Sequence, residues 1–405
     1  MKPILRAERM KPVHSDIRGP LYVEAMKRQK QGIDILKLNT GNPATFGFGL
    51  PDSIRNALME HMQDGVGYCD FKGMPQARQA ICDYETSKGI KGITPDDVFI
   101  GNGVSEVVSF ALTPLLNDGD EVLVPSPSYS LWGNSVYLED GKPVFYTCDE
   151  KAGWYPDIQD IRSKITDKTK AIVIINPNNP TGVLYPKEIL LEIIQVAREF
   201  GLLIFSDEIY DRLVMDGKQH ISLASLTEDV PVITLNGLSK SHCLCGYRCG
   251  WMVISGPREL TEDYRQGIIQ LTSLRLCANT MAQIVIPAAL DDMETPASMV
   301  RPGGRIYEQR EATVRELEKI DGLSFVKNDG AFYIFPKLDV KKFNITNDKQ
   351  FAHDLLDATN ILLVPGSGFD WKDPDHFRIV MLPQADVLSD AIRRMGTFLD
   401  GYKQK

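Results

Sequence analysis

The 405-residue sequence has no apolar run approaching the ~20 residues that a membrane-spanning helix needs. Its opening, "MKPILRAERMKP", is charged and lacks the apolar stretch of a secretory leader, which sets the expectation of a cytoplasmic chain. Cysteine is sparse. Seven scattered cysteines, an odd number, suit reduced thiols better than a disulfide framework. Basic residues are in deficit: 45 Lys and Arg against 54 Asp and Glu leave a net charge of -9, which disfavours nucleic acid as a general partner. Any anionic ligand must therefore be held by local cations and backbone amides. Internal repeats and low-complexity segments are absent as well.

What is present is the composition of a globular protein, 43% hydrophobic and 24% charged. A chain of this length exceeds one core and implies two domains, or one large domain with a smaller companion. Apolar runs of strand length, "EVLVPSP", "PVFYTC", "AIVIINP", "LLIFSDE", "VITLNG" and "GWMVIS", alternate with helical patterns. Their lack of polar alternation predicts burial on both faces, as in a parallel sheet covered by helices: an α/β architecture. One helix is predicted from Pro186 to Phe200, with Gly201 as its stop. The large domain is expected over residues 51–295. A single helix in "RPGGRIYEQREATVRELEKI" should lead to a smaller α+β domain of residues 296–405, with which residues 1–50 pack.

In open α/β sheets ligands bind beyond the carboxyl ends of the strands. After "VITLNG" stands Lys240; after "LLIFS" stand Asp207 and Tyr210; after "AIVII" comes Asn179; after "VFI" come Gly103, Val104 and Ser105. An amine, a lone carboxylate, a phenol, an amide and a helix start converging on one crevice are what pyridoxal phosphate requires. Lysine supplies the amine for a Schiff base, and a carboxylate keeps the ring nitrogen protonated. Asn179 and Tyr210 are placed to meet the phenolate oxygen. Arg248, Ser239 and the Gly103-Val104-Ser105 segment can hold the phosphate, and Tyr129 offers a stacking face. Each has an ordinary alternative. Asp207 could cap a helix, "NPNNPTG" could be only a turn, Tyr129 could be core, and Arg248 could be a surface ion pair. The stretch "SKSHCLCGYRCGW" also offers His242, Cys243, Cys245 and Cys249 as metal ligands, but no second cluster follows, and small buried thiols explain the cysteines better.

The segments "NPNNPTG", "SDEIY" and "SKSHCLCGYRCGW", in this order, resemble the signatures of the fold type I pyridoxal-phosphate-dependent aminotransferases, and the likeness covers nearly the whole chain. It implies a mostly parallel seven-stranded sheet flanked by helices, plus a smaller α+β domain, in a homodimer with shared active sites. "LKLNTGNP", "GYCDFKG", "GNGVSE", "NGLSK", "LRLCANTMAQ" and "DHFRIVMLP" are most similar to the bacterial glutamate–pyruvate (alanine) aminotransferases, implying L-alanine and 2-oxoglutarate as substrates. By this resemblance Lys240 bonds the cofactor and shuttles the substrate proton, and Asp207 anchors the ring nitrogen. Asn179 and Tyr210 hold the phenolate oxygen, and Arg248 and Ser105 hold the phosphate. Arg378 binds the substrate α-carboxylate, Gly41 lets the backbone approach it, and Tyr68 reaches the phosphate of the neighbouring subunit. One departure is Gly237, where many relatives have a serine that binds phosphate.

Glutamate has a second carboxylate that alanine lacks, so a further adaptable cation is needed. Arg18 is the first candidate and Arg275 the second, although Arg275 is better explained by an ordinary ion pair. An aminotransferase with another preferred amino acid, valine, methionine or an aromatic one, is the alternative on substrate, and three rivals differ in function. A carbon–sulfur β-lyase would keep every cofactor ligand. A ligand-sensing regulator would need a DNA-binding module, for which there is no room before residue 33. A nicotinamide enzyme would need a third glycine where Glu106 stands.

Overall fold

The computed structural model describes residues 2–405. Eight strands build the main sheet: β1 Val98–Asn102, β2 Glu121–Ser126, β3 Lys142–Asp149, β4 Tyr155–Pro156, β5 Thr169–Ile175, β6 Leu203–Asp207, β7 Val232–Gly237 and β8 Cys249–Ser255. Their order is β1-β8-β7-β6-β5-β2-β3-β4. Pairing is parallel from β7 through β6, β5 and β2 to β3, while β8 runs antiparallel to both β1 and β7. Seven of these strands match the expected sheet. The eighth, β4, has only two residues, one of them proline, and pairs antiparallel at the edge of β3, too short to leave a periodic signal.

The apolar runs lack polar alternation because both faces of the sheet are covered. Leu123, Ile172, Ile174 and Ile204 point into one cluster with Leu190, Ile193 and Ala197 of helix Lys187–Phe200. Their chain neighbours Val122, Ala171, Val173 and Phe205 point into another with Val107, Val108 and Ala111 of helix Val104–Leu112. Helix Lys187–Phe200 begins after Pro186 and ends at Gly201, whose φ of 65° is the left-handed cap glycine supplies without strain.

Beyond the sheet, the predicted bridging helix forms over Arg305–Leu317 only; its first four residues, "RPGG", make a turn. The C-terminal part holds a three-stranded sheet of β9 Tyr333–Ile334, β10 Val364–Pro365 and β11 Phe377–Val380, in the order β9-β11-β10. Leu36–Lys37 pairs parallel with Ile361–Leu362, and Leu38 is buried with Leu317, Phe351, Leu355 and Phe377. The N-terminal segment thus runs along the C-terminal part before the chain enters the main sheet.

Candidate active site

The sheet topology gathers the site. Strands β1, β2, β5, β6 and β7 share one direction and end at one edge; β8 runs the other way and therefore begins there. Asp207 is the last residue of β6, Lys240 follows β7 in the short helix Leu238–Ser241, and Arg248 immediately precedes β8.

Asp207 is 5% exposed and accepts hydrogen bonds from Trp132 Nε1 at 3.1 Å and the Ile209 amide at 3.3 Å. Burial, only partly offset by these donors, pushes its carboxyl up to about 6. Lys240 Nζ donates to the Gly41 carbonyl at 3.0 Å. Tyr210 donates to the hydroxyl of Tyr333 at 3.0 Å. Arg378, on β11 and 1% exposed, donates to Asn179 Oδ1 at 2.8 Å and to the Asn39 carbonyl at 2.5 Å. Its guanidinium lies 4.5 Å from the Tyr333 ring centroid and 4.6 Å from that of Phe369, and its Nε has no hydrogen-bond partner among the described residues. Tyr129 lies close to both Lys240 and Arg378.

At the other end, Asn102 pairs with Cys249, which sets Gly103 against Arg248. Gly103 has φ 83°, which favours glycine, and its missing side chain lets the Arg248 guanidinium lie directly against the backbone. Val104 and Ser105 open helix Val104–Leu112, and as its first two residues their N–H groups lack the carbonyl partners of later turns; Ser105 is exposed and Ser239 half-buried. Gly237 has a structural reason: a Cβ would lie 2.5 Å from the Cys249 carbonyl, so the serine of many relatives has no room here.

Arg275 has the ordinary ion pair that its sequence context favoured. It is no free cation: it donates to Glu106 at 2.6 Å and to the Phe71 and Ile100 carbonyls, each at 3.2 Å. Glu106 in turn accepts from the Asn102 amide at 2.8 Å and side chain at 2.9 Å, so this pair braces the Gly101–Gly103 turn. Nor do the four potential metal ligands converge: His242 bonds Ser241 and the Asp292 carbonyl, Cys243 faces Met299, Cys245 donates to the Ser239 carbonyl, and Cys249 is buried in β8. Tyr68 is 83% exposed and does not enter this pocket. Arg18 is exposed, with no carboxylate within 4.0 Å among the described residues.

Trp132, Tyr333, Asn39 and Phe369 were not singled out from the sequence. Trp132 stands three residues after Tyr129 in "PSPSYSLW", the one available hint; Tyr333 and Phe369 read there as ordinary apolar core.

Behind Asp207 lies a buried ionic cluster. Lys88 Nζ sits 2.6 Å from Glu85, 2.9 Å from Glu208 and 3.2 Å from Asp211, taking the place a metal ion would need beside Glu208, Asp211 and His220. Glu85 is pushed up to about 7 by burial. Lys88→Met should destabilise the chain by roughly 3–5 kcal/mol, since it strands buried carboxylates. Because Glu85 takes up a proton as pH falls through 7, the deficit should be smaller at pH 5 than at pH 8; urea unfolding at both pH values checks this.

Comparison with known proteins agrees with this geometry. Residues 33–394 match the family model for aminotransferase class I and II. The chain is 49% identical over 404 residues, the full length of both, to the glutamate-pyruvate aminotransferase AlaA of Haemophilus influenzae. It is 46% identical to an alanine aminotransferase of Mycobacterium bovis, covering 98% of this chain and 93% of that one. The crystal structure of an Escherichia coli aminotransferase superposes with a TM-score of 0.98 at 46% identity, covering all of both chains. An alanine aminotransferase from Pyrococcus furiosus gives 0.93 at 41% identity, covering 98% of this chain and 99% of that one. With its signature residues gathered at one sheet edge and full-length likeness of this degree, the chain is an enzyme of the class I and II aminotransferase family.

Proposed function

We propose that this aminotransferase uses pyridoxal phosphate to move an amino group from L-alanine to 2-oxoglutarate, giving pyruvate and L-glutamate. One observation supports the reading above the others. Lys240, Asp207 and Arg378 are ionic groups in one pocket, and none has an oppositely charged partner within 4.0 Å among the described residues. Uncompensated buried charge costs several kcal/mol, so a guest supplying the missing charges is the economical explanation. A cofactor with a protonated ring nitrogen suits Asp207, and an amino-acid carboxylate suits Arg378.

Bound there, pyridoxal phosphate would supply an electron sink for the charge left when the substrate Cα loses its proton. The chain's own residues do the rest. Lys240 bonds the cofactor and carries that proton, and Asp207 keeps the ring nitrogen protonated. Asn179 and Tyr210, the latter oriented by Tyr333, hold the ring oxygen. The Gly103-Val104-Ser105 amides, Ser239 and Arg248 hold the phosphate without a side chain at Gly237. Tyr129 covers the ring. Arg378 takes the α-carboxylate in a bidentate pair, fixed in the plane by Tyr333 and Phe369, and Gly41 leaves room for it.

Alanine is preferred in this reading because the relatives named above act on it or on glutamate and pyruvate. Arg18 is assigned to the distal carboxylate of glutamate. Arg18→Ala should raise KM for glutamate and 2-oxoglutarate by about 10–100-fold, the equivalent of one lost charged hydrogen bond, and affect alanine and pyruvate less. Equal losses for all four substrates would remove it from that role.

A second copy would complete the site through Tyr68. Val66 is 77%, Leu276 52% and Leu274 83% exposed, on two segments joined by the Arg275 bond to the Phe71 carbonyl, and a homodimer would cover such apolar side chains. The division into residues 51–295 and a unit of residues 1–50 with 296–405 is supported by the pairing of Leu36–Lys37 with Ile361–Leu362. The seven free cysteines suit a reducing compartment, the basis for placing the enzyme in the cytoplasm. The assay is direct: L-alanine and 2-oxoglutarate should give pyruvate and glutamate with no free ammonia. Ammonia released from a cysteine conjugate, with no transfer, would point instead to a β-lyase.

A further inference from the structure

The segment that bears Arg18 is held against the substrate pocket from two sides. On one side the side chain of Asn39 donates to the Ile17 carbonyl at 2.8 Å, and the Asn39 carbonyl is the one that accepts Arg378. On the other side stands His14. Its Nε2 lies 3.0 Å from Asp370 Oδ1, its Nδ1 3.5 Å from Asp16 Oδ2, and its backbone exchanges two hydrogen bonds with the Asn134 side chain, at 3.1 and 2.6 Å. Asp370 follows Phe369, whose ring lies against Arg378, and the Phe369 carbonyl accepts the Ser128 amide next to Tyr129. Asp16 packs closely enough on Gly368 that a Cβ there would come within 2.8 Å of it.

We propose that His14 is a positioning residue. By bridging Asp16 on its own segment to Asp370 on the pocket wall, it fixes Arg18 where the distal carboxylate of a dicarboxylic substrate must lie, and so sets the preference for glutamate and 2-oxoglutarate. A bridge between two carboxylates needs a cation that can donate in two directions, and a doubly protonated imidazole, with one N–H on each side of its ring, does this. The bridge is charged at neutral pH because hydrogen bonds to Asp16 and then Asp370 hold the imidazolium up to about 9, against the opposing effect of burial. The other ionisable groups facing it are Lys349, paired with Asp16 at 3.2 Å, and Tyr137, whose hydroxyl is pushed up by burial and by Asp370. His14 is raised, so the bridge is intact in the folded protein at neutral pH and is lost as pH rises through about 9, while the stability it contributes is full below about 6.5 and gone above about 9.

The inference rests on the assignment of Arg18 to the distal carboxylate, and its test separates the two. KM for alanine, pyruvate, glutamate and 2-oxoglutarate is measured for the holoenzyme, His14→Ala, Arg18→Ala and the double variant, and hydrogen exchange of residues 15–19 is followed in each. His14→Ala should speed exchange in that segment and raise KM for the two dicarboxylic substrates about tenfold, with alanine and pyruvate within about twofold. The double variant should be no worse than Arg18→Ala. In the parent enzyme the preference should fade above pH 9, and in His14→Ala that fading should be absent. Uniform changes across all four substrates, or a preference intact in His14→Ala while Arg18→Ala loses it, would overturn the role of His14. A preference intact in Arg18→Ala would overturn the Arg18 assignment itself, whatever the exchange data show for His14.

Discussion

Replacing Lys240 with alanine is expected to lower kcat by about 10⁴-fold or more, since proton transfer by a positioned side chain alone contributes ~10²–10⁴ and the covalent hold on the cofactor is lost as well. The fold should survive. Lys240 lies on a four-residue helix, and among the described residues its side chain makes one hydrogen bond, to the Gly41 carbonyl, worth about 1 kcal/mol. No neighbour can substitute: the nearby groups are the phenols Tyr129 and Tyr333, the thiol Cys245 and the guanidinium of Arg378, none of them a primary amine. Single-turnover assays with alanine, set beside an unchanged urea midpoint, read both halves of the expectation. Near-normal turnover would remove Lys240 from its role.

Asp207→Asn is expected to move activity and stability in opposite directions. Without its carboxylate the ring nitrogen loses a charge-assisted partner, worth about 1.5–3 kcal/mol, so kcat should fall at least 10–100-fold. In the cofactor-free protein the same carboxylate is a burden. Its pKa is raised from 3.8 to about 6, so the folded chain binds the proton more tightly than the unfolded chain does. The penalty is absent below pH 4, grows between pH 4 and 6 and is constant above; about two pKa units give an upper bound near 3 kcal/mol. Cofactor-free Asp207→Asn should therefore be more stable than the parent at pH 8 by up to that amount, and by less at pH 5. Urea unfolding at both pH values checks the sign. A variant equally stable at both, with unchanged turnover, would place Asp207 outside the site.

Much of this site was legible in the sequence because its residues follow strands whose apolar runs are unbroken. Asp207, Lys240, Asn179 and Gly103 each stand one to four residues beyond such a run, and parallel strands deliver their ends to one edge. Arg248 was reached through its neighbours in "SKSHCLCGYRCGW", although only the antiparallel direction of β8 explains why a residue before a strand belongs at that edge. What stayed hidden were contacts made across long separations by residues with no chemical signature of their own. Asn39 meets Arg378 through its backbone, which the sequence does not distinguish from any other carbonyl. Tyr333 has the apolar surroundings of a core aromatic, and its contact with Tyr210 depends on how the C-terminal sheet docks on the main one. Arg275 lies in a segment typical of the aminotransferases, yet its partner Glu106 is 169 residues away and shows only in three dimensions.

The central claim is that Lys240 is the amine that takes pyridoxal phosphate. Incubating the purified chain with the cofactor, reducing with borohydride and mapping the labelled peptide tests it most directly. One phosphopyridoxyl group per chain on Lys240, absent from Lys240→Ala, is the predicted result. No stable label, or label spread over surface lysines and unchanged in the variant, would contradict it.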